Sequence, residues 1–259
     1  MAEDGLVLSE IREDGVAIVR LNRPEALNAL NMAIREDLAN TFAAMHDNSE
    51  VRCIVLTGNE KAFAAGADLK EFVQEGAVGI MRRRSERHWN TVAATPQPVI
   101  AAINGYAMGG GLELAMACDL IVIGEGAQIG QPEIKVGIMP GAGGTQRLTR
   151  AVGKYNAMKM CLTGKPISGV EAHAMGLASD VVPDAEVLDT AVKLASTIAR
   201  MPPLAAQMIK ESIVQGASAP LDAAMALERR SFQMLFATED KTEGMTAFIE
   251  KRRPDFTGD

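Results

Sequence analysis

Apolar and polar positions along the chain follow two periods, one of strands and one of helices. Val16-Ala17-Ile18-Val19-Arg20-Leu21 is a run of strand formers that stops at Asn22-Arg23-Pro24, where proline removes a backbone donor. Together with the residues from Leu6 it predicts a hairpin turning at Glu13-Asp14-Gly15. Ile34, Leu38, Phe42 and Met45 then recur at three- and four-residue steps, which predicts a helix over 32–45 capped by Asn31. Residues 51–56, 98–103, 120–123 and 177–182 are short apolar runs bounded by turn formers and read as buried strands. Beyond residue 182 the period is helical: 187–199, 204–214, 221–236 and 245–251 each carry an apolar face. Strand and helix alternate up to that point, so the fold class is α/β with a helical C-terminal region.

One stretch, 96–150, concentrates the candidate chemistry. A strand ending at Ile103 turns through Asn104-Gly105-Tyr106 into Gly109-Gly110-Gly111, and a helix is expected over 112–118. Glycines at a helix start leave unpaired N–H groups at the positive end of the dipole, which favours an anion. Neither G-x-x-x-x-G-K-[ST] nor G-x-G-x-x-G is present, so a nucleotide phosphate is not indicated. A carbonyl oxygen that gains charge during reaction is another anion such donors serve, each at ~3 kcal/mol. Glu113 falls in the first turn, where an acid also complements the dipole. Glu133, in Gly130-Gln131-Pro132-Glu133, precedes a second glycine-rich turn, Pro140-Gly141-Ala142-Gly143-Gly144. Two carboxylates beside one anion site can divide base and acid roles if their surroundings separate their pKa values.

Charge and composition narrow the partners. With 33 acidic and 26 basic residues the net charge is −7, which argues against nucleic acid or an anionic membrane as the main partner. No apolar run approaches the ~20 residues of a membrane span. Met1-Ala2-Glu3-Asp4-Gly5 shows neither signal nor transit character, so a cytoplasmic, bacterial protein is expected. Cys53, Cys118 and Cys161 are scattered among apolar neighbours, as inert buried thiols would be. His46, His88 and His173 show no ligand spacing, so no metal site is expected. Arg82-Arg83-Arg84 and Arg87 read as a solvated helix face, and Met81, Trp89 and Val92 as apolar residues that core or pocket would take. Ser168-Gly169-Val170-Glu171 is a capping box, and Gly153 and Gly176 read as helix ends.

Residues 96–150, with Asn22-Arg23-Pro24, Ala26-Leu27-Asn28-Ala29-Leu30, the 62–70 loop and Phe248-Ile249-Glu250-Lys251-Arg252, resemble the crotonase (enoyl-CoA hydratase/isomerase) superfamily. Within it the chain is most similar to the short-chain enoyl-CoA hydratases. The resemblance implies a crotonase-like spiral of repeated ββα units over 1–195 and a helical region over 196–259 for trimerisation and active-site cover. It further implies Glu113 and Glu133 as catalytic acids and bases, and the backbone N–H groups of Ala67 and Gly110 as an oxyanion hole. Ala26, Ala64, Ala65, Gly66, Asp68, Leu69, Lys70, Gly141, Phe248 and Lys251 are implied as contacts to substrate or coenzyme A. Glu25 stands where many of that family carry lysine, which moves any phosphate contact there to Arg23 or elsewhere. The implied reaction is reversible syn hydration of trans-2-enoyl-CoA to 3-hydroxyacyl-CoA in fatty-acid or related acyl-CoA catabolism, with Δ3-Δ2 enoyl-CoA isomerisation as the alternative. Coenzyme A would enter as part of the acyl-CoA thioester substrate, with no separate cofactor, and the assembly would be a homotrimer or a dimer of trimers.

Overall fold

The computed structural model describes residues 5–259; the reading of Met1–Asp4 as leaderless lies outside the described residues. β1 (Val7–Ile11) and β2 (Val16–Leu21) form the predicted antiparallel hairpin. α1 (Met32–His46) follows, and the Asn31 side chain accepts from the Ile34 amide as an N-cap should. The chain then repeats a unit of two strands and a helix. β3 (Cys53–Thr57) and β4 (Ala62–Ala64) lead to α2 (Ala77–Arg83) and α3 (Glu86–Ala93). β5 (Val99–Ile103) and β6 (Tyr106–Met108) lead to α4 (Gly110–Ala115). β7 (Leu120–Gly124) and β8 (Gln128–Gly130) lead to α5 (Gly144–Thr163). β9 (Ile167–Ser168), α6 (Gly169–Ala174) and β10 (Asp180–Val182) close the series, and α7 (Val187–Ala199), α8 (Pro203–Gly216), α9 (Leu221–Leu235) and α10 (Glu239–Glu250) complete the chain.

Successive strands of each unit join different sheets. The first sheet has the order β1-β2-β3-β5-β7-β10 and the second β4-β6-β8-β9. Central pairings from β2 to β10 are parallel, and β3 and β5 are buried throughout. One core fills the inner face, where Leu38 and Phe42 of α1 meet Ile54, Phe63, Leu112 and Leu148. A second core lies on the outer face, where Ala191, Ala195 and Ala199 of α7 seat against Val55, Ile100 and Val122.

Several expected boundaries move. The strand expected over 177–182 is only Asp180–Val182, because Gly176 at φ +82° closes α6 and the buried Leu177 returns its amide to Ala172. Gly153 ends a helix as expected: at φ 77° and ψ 164° it is non-helical, and a second helix follows it to Thr163, so α5 is two helices joined at a kink. The helix expected over 112–118 starts two residues earlier, at Gly110, and the one over 245–251 starts at Glu239, where Thr238 caps it. The capping box at Ser168 and Glu171 is present. Helices α8 to α10 leave Ile209, Ile213, Met225, Phe232, Phe236, Phe248 and Ile249 exposed.

α4 sits close to β4 because Gly111 lacks a side chain: a β-carbon there would collide with the Ala64 carbonyl oxygen and lie 2.9 Å from the Ala64 β-carbon. Gly111→Ala is therefore expected to destabilise the protein by about 1–3 kcal/mol, through overpacking at a backbone contact. Urea unfolding of the variant against the wild type measures it.

Candidate active site

Three loops converge on the start of α4. The first carries Leu27 and Asn28, consecutive residues in the left-handed region at φ 49° and 56°. Asparagine adopts that conformation at less cost than leucine. The fully buried Asn28 side chain holds the turn, donating to the Ala62 and Phe63 carbonyls and accepting from the Arg23 amide at 2.8 Å. The second loop, residues 64–68, zips onto the first: the Ala65 amide donates to Leu27, and the Leu30 amide to Gly66 at 2.7 Å. Arg23 donates to Asp68 at 2.9 Å, which holds the Asp68 carboxyl below the usual carboxylate range. Ala26, Ala64, Ala65, Gly66, Ala67 and Asp68 are thus brought together, while Leu69 and Lys70 stand at the exposed rim in a single helical turn.

The free donors at this helix start are backbone groups. A β-carbon built on Gly110 would lie 3.7 Å from the Ala67 amide nitrogen, 3.8 Å from Trp89 Cζ2 and 3.9 Å from Leu30 Cδ1. Among the described residues, neither the Ala67 nor the Gly110 amide donates a hydrogen bond to protein. Two unpaired donors therefore stand side by side at a helix start.

The acids flank the same helix start. Glu113, 3% exposed, accepts at Oε1 from the amides of Ala142 (2.7 Å) and Gly144 (2.8 Å). The glycine-rich turn thus meets Glu113 through these two residues, whereas Gly141 is exposed, with open space where a β-carbon would stand. Glu133 stands against Gly109, whose β-carbon, if built, would lie 2.9 Å from Glu133 Oε1. Burial pushes the Glu133 carboxyl up to about 7, and the charge of Glu113 adds to the rise. Gln131, fully buried, turns its amide NH2 to both Glu133 oxygens at 2.9 and 3.1 Å, an orientation assigned from the hydrogen-bond network. Those bonds favour the ionised form and oppose the rise. Gln131 was not foreseen, although it sits in the same short loop as Glu133.

Other expected residues lie elsewhere. Phe248, 85% exposed, and Lys251 belong to the C-terminal end of α10 and form no hydrogen bond or ion pair with the three loops among the described residues. Met81 is exposed and Val92 belongs to the core, so of the three apolar candidates only Trp89 meets the site. Arg83 leaves the expected solvated face and folds onto Glu71 and Glu75. A separate groove of about 1040 Å³ runs between α8, the end of α4 and the start of α5, where Asp119 and Lys210 pair at 2.7 Å; neither glutamate lines it. Burial pushes the Cys53 thiol up to about 12 and raises those of Cys118 and Cys161. Among the described residues no group of His, Cys, Asp or Glu is placed to hold a metal, and no helix is long and apolar enough to cross a membrane.

The Glu133 environment carries a stability consequence. Native Glu133 keeps its proton to about pH 7, while the unfolded chain releases it near the ordinary value of 4.5. In that window the native state binds more protons than the unfolded one, so this group's contribution to stability falls as pH rises. Glu133→Gln removes the penalty, and the Tm of the variant relative to wild type is expected to rise from about pH 5 to about pH 8. Calorimetric scans across that range check it.

Comparison with known proteins follows the same lines. The family described as Enoyl-CoA hydratase/isomerase matches residues 11–259. The 2,3-dehydroadipyl-CoA hydratase of Escherichia coli is 47% identical over 95% of this chain and 97% of its own. A probable enoyl-CoA hydratase of Mycobacterium bovis is 46% identical over 95% and 96%. The crystal structure of an enoyl-CoA hydratase from Bacillus anthracis superposes with a TM-score of 0.94 at 38% identity, over 98% of this chain and all of that one. A chain with this spiral, this loop cluster and matches of this length belongs to the enoyl-CoA hydratase/isomerase family.

Proposed function

We propose that the protein catalyses reversible syn hydration of trans-2-enoyl-CoA to 3-hydroxyacyl-CoA in fatty-acid or related acyl-CoA catabolism. The observation that carries the reading is the pair of glutamates at the start of α4, one clamped by two amides and the other pushed up to about 7. Relatives named as hydratases support it.

In this mechanism the thioester oxygen accepts from the Ala67 and Gly110 amides, which stabilise the enolate-like charge as the Cα–Cβ double bond is attacked. Glu113 Oε1 is already held, so Oε2 takes the proton from water while the water oxygen bonds to Cβ. Glu133 delivers its proton to Cα. Glu113 ends protonated and Glu133 ionised, and proton exchange with water restores both. Coenzyme A arrives as part of the substrate, its distant contacts positioning the acyl group, and no separate cofactor takes part. Ala26, the 64–70 loop, Phe248 and Lys251 are proposed to meet coenzyme A, the last two across a subunit boundary. The exposed apolar residues of α8 to α10 suit a homotrimer or a dimer of trimers.

Isomerisation of Δ3-enoyl-CoA can run on one carboxylate, so the presence of two favours hydration. The test follows loss of the enone absorbance of crotonyl-CoA. Glu113→Gln and Glu133→Gln are each expected to slow hydration at least about 10²-fold. Wild-type hydration kcat/KM is expected to fall as pH rises through about 7, where free Glu133 loses its proton. Full activity in either variant, or turnover of Δ3-enoyl-CoA without hydration, overturns the reading.

A further inference from the structure

Glu133 is the acid whose proton reaches Cα in the hydration mechanism, and Gln131 is the side chain that holds it. Gln131 is fully buried, and its amide nitrogen lies 2.9 and 3.1 Å from the two Glu133 oxygens. On its other side the amide faces only hydrogen-bond donors, which fixes its carbonyl there and its NH2 towards Glu133. No other side chain donates a hydrogen bond to Glu133 among the described residues.

The backbone makes this pairing stiff. Between the two residues stands Pro132, whose ring restricts φ, here −86°, and which opens the single helical turn Glu133–Val136. Just before them the Gly130 carbonyl accepts from the Gly109 amide at 2.8 Å, so the pair is fastened to the residue that precedes α4. The end of the Gln131 amide turned away from Glu133 lies 2.8 Å from the place where a β-carbon on Gly144 would stand. Glu113 Oε1 lies 2.9 Å from the same place. Gln131 thus fills the space between Glu133 and the turn that clamps Glu113.

An amide NH2 has two protons to give and nothing with which to accept one. When Glu133 carries its proton, that O–H finds no acceptor in the NH2 group and is left free for the substrate. When the proton has gone to Cα, the same NH2 group faces a carboxylate and stabilises it by charge-assisted hydrogen bonds. Glu133 draws no such help from a neighbouring cation: Glu113 on α4 repels its charge, and the Cys161 thiol on α5 is kept neutral by burial. Lys135, in the same turn, lays its side chain along Gly164. We propose that Gln131 is a positioning residue for the acid, leaving the Glu133 proton to Cα in hydration and stabilising the carboxylate that must take that proton back in dehydration. This rests on the hydration reading above and deepens it.

The experiment uses Gln131→Met, which keeps the length without a donor, and Gln131→Glu, which keeps the outline. Hydration of crotonyl-CoA is followed against pH. In parallel, infrared difference spectra titrate the C=O stretch of protonated Glu133, identified by its loss in Glu133→Gln. In Gln131→Met, kcat is expected to fall roughly 10-fold or more with KM within about threefold. The fall of kcat/KM, which wild type shows at about 7, should move up by about one to two pH units, the worth of hydrogen bonds to a charged oxygen. The infrared midpoint should move with it, and Gln131→Glu should raise both at least as far, since a second carboxylate then faces the first. In the unaltered protein the side-chain NH2 resonances of Gln131 should titrate with the Glu133 midpoint. A Gln131 that only fills space would lower kcat and leave both midpoints in place. Unmoved or lowered midpoints in either folded variant, wild-type kcat in Gln131→Met, or NH2 resonances indifferent to the titration overturn the proposal. If wild type does not hydrate crotonyl-CoA, the hydratase reading falls, while the infrared and NH2 titrations still decide whether Gln131 holds Glu133.

Discussion

α4 lies where it does because glycine and alanine allow two backbones to touch. Gly111 rests on the Ala64 carbonyl, and Gly110 comes to the Ala67 amide with only small groups around it. From that contact follows the rest of the site: the helix start is aimed at the loop, the loop is aimed at the helix start, and Glu113 and Glu133 fall on either side. The alternation of strands between two sheets serves this approach, since β4 and β6 of the smaller sheet carry the two touching segments. Asn28 ties the third segment in, with a left-handed turn that its side chain both tolerates and fastens.

Much of this was legible in residue order. Ile34, Leu38, Phe42 and Met45 specify α1 because a single helix face meets a single core. The runs at 16–21 and 99–103 specify strands because burial on both faces leaves no other apolar pattern. The small sheet was not legible: Ala62–Ala64, Tyr106–Met108 and Gln128–Gly130 are three residues each, and their conformation comes from pairing with one another. Gly153 reads as a helix end and is one, whereas the second helix beyond it, buried through Ala157 and Met160, was not foreseen.

Within the site, Glu113 and Glu133 stand out beside their glycine-rich turns and Ala67 and Gly110 follow from the family resemblance, but their meeting is tertiary. Gln131 escaped because a neutral amide gives no signal until its partner is known.

The two halves of the proposed chemistry are written in different parts of the residue. Charge stabilisation is assigned to N–H groups that every non-proline amino acid carries, and proton movement to two side chains that point in from the edges. Exchanging Glu113 or Glu133 for another group would therefore leave the thioester oxygen's holder standing. Such a scaffold can change its reaction one side chain at a time without first losing its grip on the substrate, which makes the acids the cheap positions for evolution or design and the glycines the framework that any new chemistry would inherit.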